Sequence, residues 1–466
     1  MRSETTINQG RAATGPAGRG QLPGRWKALT VSLIAAFMTL LDVSIVNVAL
    51  PSIERDLGAS AASVQWVVSG YALAFGLVLV PAGRLGDTLG RRRMFLFALS
   101  AFVATSALSG AAPTTGLLIA ARLLQGVAGG MLLPQNSGLI QELFTGAARG
   151  RAFGFLGGTV GLATAAGPII GGLLLGAFAG PEGWRWIFYV NLPIGLLALA
   201  VAARLLPKAA RASWRGLHLD LTGSLLLGGG VLGLLLPVVD ATDGGLTRLW
   251  PLYGVAVALL AGFAWWETRT ARRGGQPLLD PQLAHTPGYA PGLAIGSLYF
   301  LGFTGIWLVL ALFFQDGLGY SPLRSGLAVT PFALGVAVSA VVAGRLVARV
   351  GRWLTVSGLT ATVAGLGGGM VTSPNVTLTL QSVPVRMAGA AGGALQTAQR
   401  IGAAIGTALL VSVFYRVLAA NGHSYPTAVS DALLCACGLM LLALLVAVAE
   451  HWYRRAVHPP EAGGML

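Results

Sequence analysis

Runs of roughly 20 apolar residues recur along this chain from Ala28 to Val448, and nearly every charge falls between them. A helix of that length crosses the ~30 Å hydrocarbon core of a bilayer. Inside hydrocarbon, only helices and closed barrels satisfy their own backbone. Composition agrees: 10% of the 466 residues are charged and 55% are hydrophobic, against about 25% charged in a soluble domain. The chain reads as an all-α polytopic membrane protein. Its 67 glycines fit, because small residues let membrane helices approach closely.

Spans are expected at 28–50, 62–82, 93–111, 115–137, 152–176, 185–206, 219–239, 250–267, 290–314, 323–346, 388–416 and 428–450. The formal net charge of +15 follows topology, so no nucleic-acid partner is expected. With the N-terminus in the cytoplasm, Arg84, Arg91 to Arg93, Arg149, Arg151, Arg204 to Arg215, Arg269 to Arg273 and Arg345 to Arg352 all lie inside. The outer loops then hold only Arg55, Arg185, Arg248 and Arg324, as the positive-inside rule requires. Residues 1–26 read as a disordered cytoplasmic tail without the apolar stretch of a cleavable signal. Cys435 and Cys437 and five scattered histidines have no metal-ligand or disulfide pattern.

Two stretches recur. AGRLGDTLGRR (82–92) returns as AGRLVARVGRW (343–353), an offset of 261, and RAFGFLGGTVGLATAAGPIIG (151–171) returns as RMAGAAGGALQTAQRIGAAIG (386–406), an offset of 235. Two halves related by an axis along the membrane normal belong to transporters that rock around a central site. The offsets differ by 26, so residues 353–385 are too short for two full spans. One reading is a single span that inverts the tail. The other is a re-entrant segment that keeps Arg386, Arg454 and Arg455 inside.

LDVSIVNVALP (41–51) places Asp42 deep in the first span, and among sixteen acidic residues it alone is so placed. ARLLQGVAGG (121–130) puts Arg122 inside span 4, with Gln125 on the same face. Intramembrane charges are expensive and usually functional. Asp42 and Arg122 are candidates for proton coupling, with Asn47 and Gln125 expected to extend a polar network. The bland alternatives are an Asp bonded to neighbouring backbone and an Arg snorkelling to the interface. Arg400 is a second deep cation, without an assigned role. In GRLGDTLGRRR, Gly83, Asp87, Gly90, Arg91 and Arg92 form a candidate gating loop, where Asp87 can pair with Arg91 or cap the next helix. GFLGGTVGLATAAGPIIGG lays Gly154, Gly158, Gly167 and Gly171 along span 5, with Pro168 expected to kink it. GWRWIFYVNLPIG reads as an aromatic belt.

These motifs, in this order, resemble the fourteen-span drug:proton antiporter branch of the major facilitator superfamily. The resemblance runs over residues 26 to 455 and departs at Thr88, where a basic residue is usual, and after Arg352. It implies a major facilitator fold of two helical bundles, 27–206 and 281–455, with two linker spans in 207–280 and a tail at 456–466. About thirteen membrane segments remain, because the halves of two spans are joined at VAGLGGG (363–369). It further implies that Asp87 and Arg91 form the gating pair, that Asp42 and Arg122 couple the proton, and that Gly167 and Pro168 shape the antiporter helix.

The expected function is proton-coupled antiport by alternating access, exporting amphipathic or cationic drugs or antibiotics. The expected setting is a monomer in a bacterial plasma membrane, using the proton as coupling ion and no cofactor. The only lysines, Lys27 and Lys208, lie outside any phosphate-binding loop, so no enzyme is expected. A metabolite exchanger, or a transport-impaired sensor or scaffold, is the alternative.

Overall fold

The computed structural model describes residues 24–178, 180–207, 220–239, 248–363, 368–420 and 424–457. The first half holds α1 (Arg25–Leu57), α2 (Ala61–Leu89), α3 (Arg91–Gly110), α4 (Thr115–Leu143), α5 (Gly146–Ala177) and α6 (Asn191–Leu205), the last preceded by turns at Pro181–Arg185 and Trp186–Tyr189. The linker helices are α7 (Leu221–Val239) and α8 (Pro251–Arg272). The second half holds α9 (Tyr289–Leu312), α10 (Pro322–Val350), α11 (Arg352–Val363), α12 (Gly368–Leu380), α13 (Ala388–Ala420) and α14 (Tyr425–Val457). Local sequence sets several starts. The side chains of Ser60, Thr114 and Ser321 accept from the backbone N–H groups of Ser63, Leu117 and Arg324, satisfying donors that a helix start leaves open.

Eleven of the described helices are long and apolar enough to cross a membrane. Outward-facing residues such as Leu197 (67% exposed) and Leu225 (75%) give them a surface suited to lipid. The expected count is about thirteen: α8 is not among the eleven, and residues 353–385 supply a half-length hairpin in place of a span.

That hairpin corrects the single-span reading of 353–385. Helix α11 has 12 residues and α12 has 13, about 18 to 20 Å each at 1.5 Å per residue, too short to cross. They pack on each other, and a Cβ on Gly358 would lie 2.8 Å from the Met370 backbone. Residues 364–367, between the two helices, lie outside the described residues. Both ends of the hairpin return to the end of the molecule that carries Arg91: on the entering side, a Cβ on Gly150, next to Arg149, would lie 2.6 Å from Val347 Cγ1. Arg91 Nη2 donates to Val385 O at 2.7 Å, and Arg149 Nη1 donates to Gln381 O at 3.5 Å. The tail is therefore not inverted, which removes the conflict over the basic residues there.

Arg352 fixes the hairpin base. Its Nε lies 2.8 Å from Glu450 Oε2, its Nη2 donates to Glu450 Oε1 at 3.1 Å, and its Nη1 donates to Asn375 Oδ1 at 2.9 Å. Asn375 Nδ2 then donates to Gly292 O at 3.0 Å. One guanidinium so ties α11, α12, α9 and α14. Removing one partner of a buried pair costs about 3–5 kcal/mol. Arg352→Gln is expected to lower the melting temperature in detergent sharply, and pairing it with Glu450→Gln should recover part of the loss.

Candidate functional site: a buried charge pair, an end latch and a glycine face

Asp42 sits near the middle of α1 with 0% exposure, and Arg122 and Gln125 on α4 are equally sealed. Arg122 Nη1 donates to Asp42 Oδ2 at 2.5 Å and to Gln125 Oε1 at 2.8 Å. Gln125 Nε2 donates to Asp42 Oδ1 at 3.1 Å. Asn191, at the start of α6, donates from Nδ2 to the same Oδ1 at 2.9 Å and to Ser106 Oγ at 3.0 Å. Arg122 Nε donates to Val67 O at 3.1 Å, and its Cζ lies 4.2 Å from the Tyr71 ring centroid. The network draws on α1, α2, α3, α4 and α6. Arg122 does not snorkel: its charge is answered by a carboxylate, an amide and a ring face.

Asn47 is not part of this network. It is exposed and donates from Nδ2 to Val43 O of its own helix at 3.5 Å. Five residues from Asp42 is about 140° around a helix of 3.6 residues per turn, so the two point to different faces. Conversely, Asn191, Ser106 and Tyr71 were not singled out by their sequence context. Asn191 is the lone amide in WRWIFYVNLPIG, and that polar residue in an apolar span is the signal that marks it. The belt itself divides: Trp184 is 0% exposed and donates to Asp56 Oδ2 at 2.7 Å, while Trp186 stacks on Phe178 at 4.1 Å.

The second cluster joins the two halves. Asp87 pairs with Arg91 at 2.8 Å, as the spacing allows. It does not cap the next helix. Its two oxygens accept from the N–H groups of Gly389 and Ala390, both at 3.0 Å, in the first turn of α13. A carboxylate at a helix N-terminus meets open donors and the positive end of the helix dipole. Arg91 adds the bond to Val385 O and an ion pair with Glu142 at 3.3 Å. Gly83 faces the Gly389 carbonyl so closely that a Cβ would collide with it, and Gly90 turns the chain at φ +94°. Arg92 stays outside this latch, donating to Ala203 O of α6 at 2.6 Å. Thr88 Oγ1 donates to Arg84 O at 3.1 Å. A buried apolar cluster closes this end, with Leu29, Ile140, Phe144 and Phe153 from one half and Tyr289, Leu380, Met387 and Leu395 from the other. Clusters around the opposite end, at Ile53 and Trp184 and at Phe414 and Val429, each belong to one half.

The third element is α5. A Cβ on Gly154 would lie 2.9 Å from Gly344 Cα, and one on Gly158 would lie 3.2 Å from Ala337 O. These glycines face α10 of the other half. Gly167 and Gly171 turn instead to Ser44 and Ile45 of α1. Pro168 sits inside a helix that runs unbroken from Gly146 to Ala177, with its ring against Gly326. The small-residue face thus forms the surface between the halves. Gly154→Val is expected to overpack it, costing about 1–3 kcal/mol, and to suppress transport. Gly228→Val, where nothing lies within 4 Å, should leave both unchanged.

Comparison with known proteins agrees with this architecture. The chain is 36% identical over 430 residues to a protein named probable actinorhodin transporter from Streptomyces coelicolor, covering 84% of this chain and 73% of that one. It is 38% identical over 427 residues to the puromycin resistance protein pur8 of Streptomyces alboniger, covering 85% and 83%. Among solved structures, the human organic anion transporter MFSD10 shares the fold at TM-score 0.65 and 16% identity, covering 91% of this chain and 100% of that one. The proton:xylose symporter XylE does so at TM-score 0.61 and 13% identity, covering 95% and 97%. The family model described as Major Facilitator Superfamily matches residues 32–366. The chain belongs to that superfamily, and it is a multi-pass membrane transporter rather than an enzyme.

Proposed function

We propose that this transporter exports amphipathic organic compounds from a bacterial cytoplasm by proton-driven antiport. The single observation behind this reading is the sealed Asp42–Arg122 pair, a titratable carboxylate that costs too much in hydrocarbon to be retained without use. The named activities of its relatives, among them a tetracenomycin C resistance and export protein, support export. The basic loops put the Asp87 end in the cytoplasm, so the arrangement described is closed on that side. Release of Asp87 from the start of α13 opens that end, and α5 rolls on α10 through their small-residue faces. Proton uptake by Asp42 frees Arg122, and its loss restores the pair, which biases the two states.

Loss of the far halves of two spans leaves the reading intact, because α12 still packs on α5, α9 and α10. The test is accumulation of puromycin and of xanthene dyes in everted vesicles under an inside-acid gradient. The expected result is gradient-dependent uptake that collapses with an ionophore. Uptake no greater than in Asp42→Asn vesicles for every compound would remove the reading.

A further inference from the structure

Arg400 lies about 18 Å along α13 from Ala388, at a depth where a cation needs an answering group. Arg122 has a carboxylate; Arg400 has only a ring face. Among the described residues it makes no hydrogen bond and no ion pair, and its Cζ rests 4.7 Å from the Phe75 ring centroid on α2, in the other half. The side chain is only half-buried, so its guanidinium keeps contact with accessible space. The repeat sharpens this. At the offset of 235 the first half has Ala165, so the architecture shared by the halves does not call for a cation here.

The neighbourhood is built for a ligand. Gln396 and Thr397, one turn earlier, share the face of Arg400. Gln396 Nε2 donates to Ser137 Oγ on α4 at 3.2 Å, while its Oε1 has no partner. Thr397 is 6% exposed, and its hydroxyl also has no partner. Two buried polar atoms therefore wait beside a free guanidinium. Among the described residues no carboxylate pairs with Arg400, and the two deep ones are engaged: Asp42 is held by Arg122, and Asp87 by Arg91 and the start of α13.

We infer that Arg400, Thr397 and Gln396 form the substrate-recognition site for the anionic group, a carboxylate or phenolate, of an amphipathic organic acid. The guanidinium fork donates to the anion, the Thr397 hydroxyl adds a donor, and Gln396 Oε1 accepts from a neighbouring hydroxyl of the ligand. A cationic substrate is disfavoured by the same unanswered charge. The site adjoins the proton pair: Phe75 lies against Tyr71 with centroids 5.9 Å apart, and Tyr71 carries Arg122 on its face. This inference adds a substrate class to the exporter reading, and the transport arm of its test rests on that reading.

Two dyes of one scaffold and opposite charge, anionic fluorescein and cationic rhodamine 6G, separate the outcomes. Anisotropy titration of purified wild-type protein is expected to show fluorescein binding. Arg400→Gln should weaken it about tenfold or more, Arg400→Lys less, and Thr397→Val a few-fold. Melting should change little in Arg400→Gln, since only the ring contact with Phe75 is lost, and Arg400→Lys serves as the check on folding. No fluorescein binding by the wild type, or equal binding by Arg400→Gln, overturns the proposal. Arg400-dependent binding without gradient-driven uptake in vesicles keeps the site and removes the exporter reading. Rhodamine uptake without fluorescein binding does the reverse.

Discussion

Asp42→Asn is expected to abolish gradient-driven export and to lower the melting temperature well below that of the wild type. Both effects come from one oxygen pair. Oδ2 of Asp42 accepts from Arg122, and Oδ1 accepts from Gln125 and Asn191. An asparagine has one acceptor oxygen, so its NH2 group must face either the guanidinium or two amide donors. It also leaves the Arg122 charge unanswered at 0% exposure. Breaking a buried pair from one side costs about 3–5 kcal/mol. The double variant Asp42→Asn with Arg122→Gln removes both charges and should recover much of the stability. It should recover none of the proton coupling. Thermal melts and vesicle uptake on these three proteins separate the structural role of the pair from its role in transport.

Asp87→Asn is expected to shift the molecule toward opening at the end that carries Arg91. The carboxylate holds Arg91 and two N–H groups of the first turn of α13, and the two N–H bonds cross from one half to the other. Hydrogen bonds to a charged group are worth about 1.5–3 kcal/mol, which corresponds to roughly ten- to a hundredfold in the ratio of closed to open states. Spin labels at the exposed positions Thr145 and Val385, with Cys435 and Cys437 replaced, report on this directly. The wild type should give a short, narrow distance distribution, and Asp87→Asn a longer, broader one. Export should fall because the closed state is no longer held, while melting changes less than in Asp42→Asn.

The spans were legible because apolar run length is a direct demand of the bilayer, and among the described residues the expected spans outside 353–385 lie on helices. The Asp42–Arg122 pair was legible because each is a rare deep charge, and two such charges of opposite sign are cheapest together. Side-chain amides are harder to place. Asn47 shares a motif with Asp42 yet turns away by helical geometry, whereas Asn191 reaches Asp42 from α6, in a motif whose aromatics draw the eye. Arg91 was legible as a partner of Asp87, but the partner across the halves was invisible: it is backbone N–H at the start of α13, and main-chain donors leave no residue signature. The shortened segment shows where length alone stops. Counting residues excluded two full spans but did not choose between one span and a turn-back. Half-length helices are tolerated when protein covers their ends, and here α9, α10 and α14 pack around the hairpin.

The central claim is that Asp42 carries the proton exchanged for substrate. Proton release from purified protein in weakly buffered solution, on addition of a dye that binds, tests it most directly. The account predicts close to one proton released per bound ligand from the wild type and none from Asp42→Asn at the same occupancy. Equal release from both proteins, or none from the wild type while ligand binds, would contradict it.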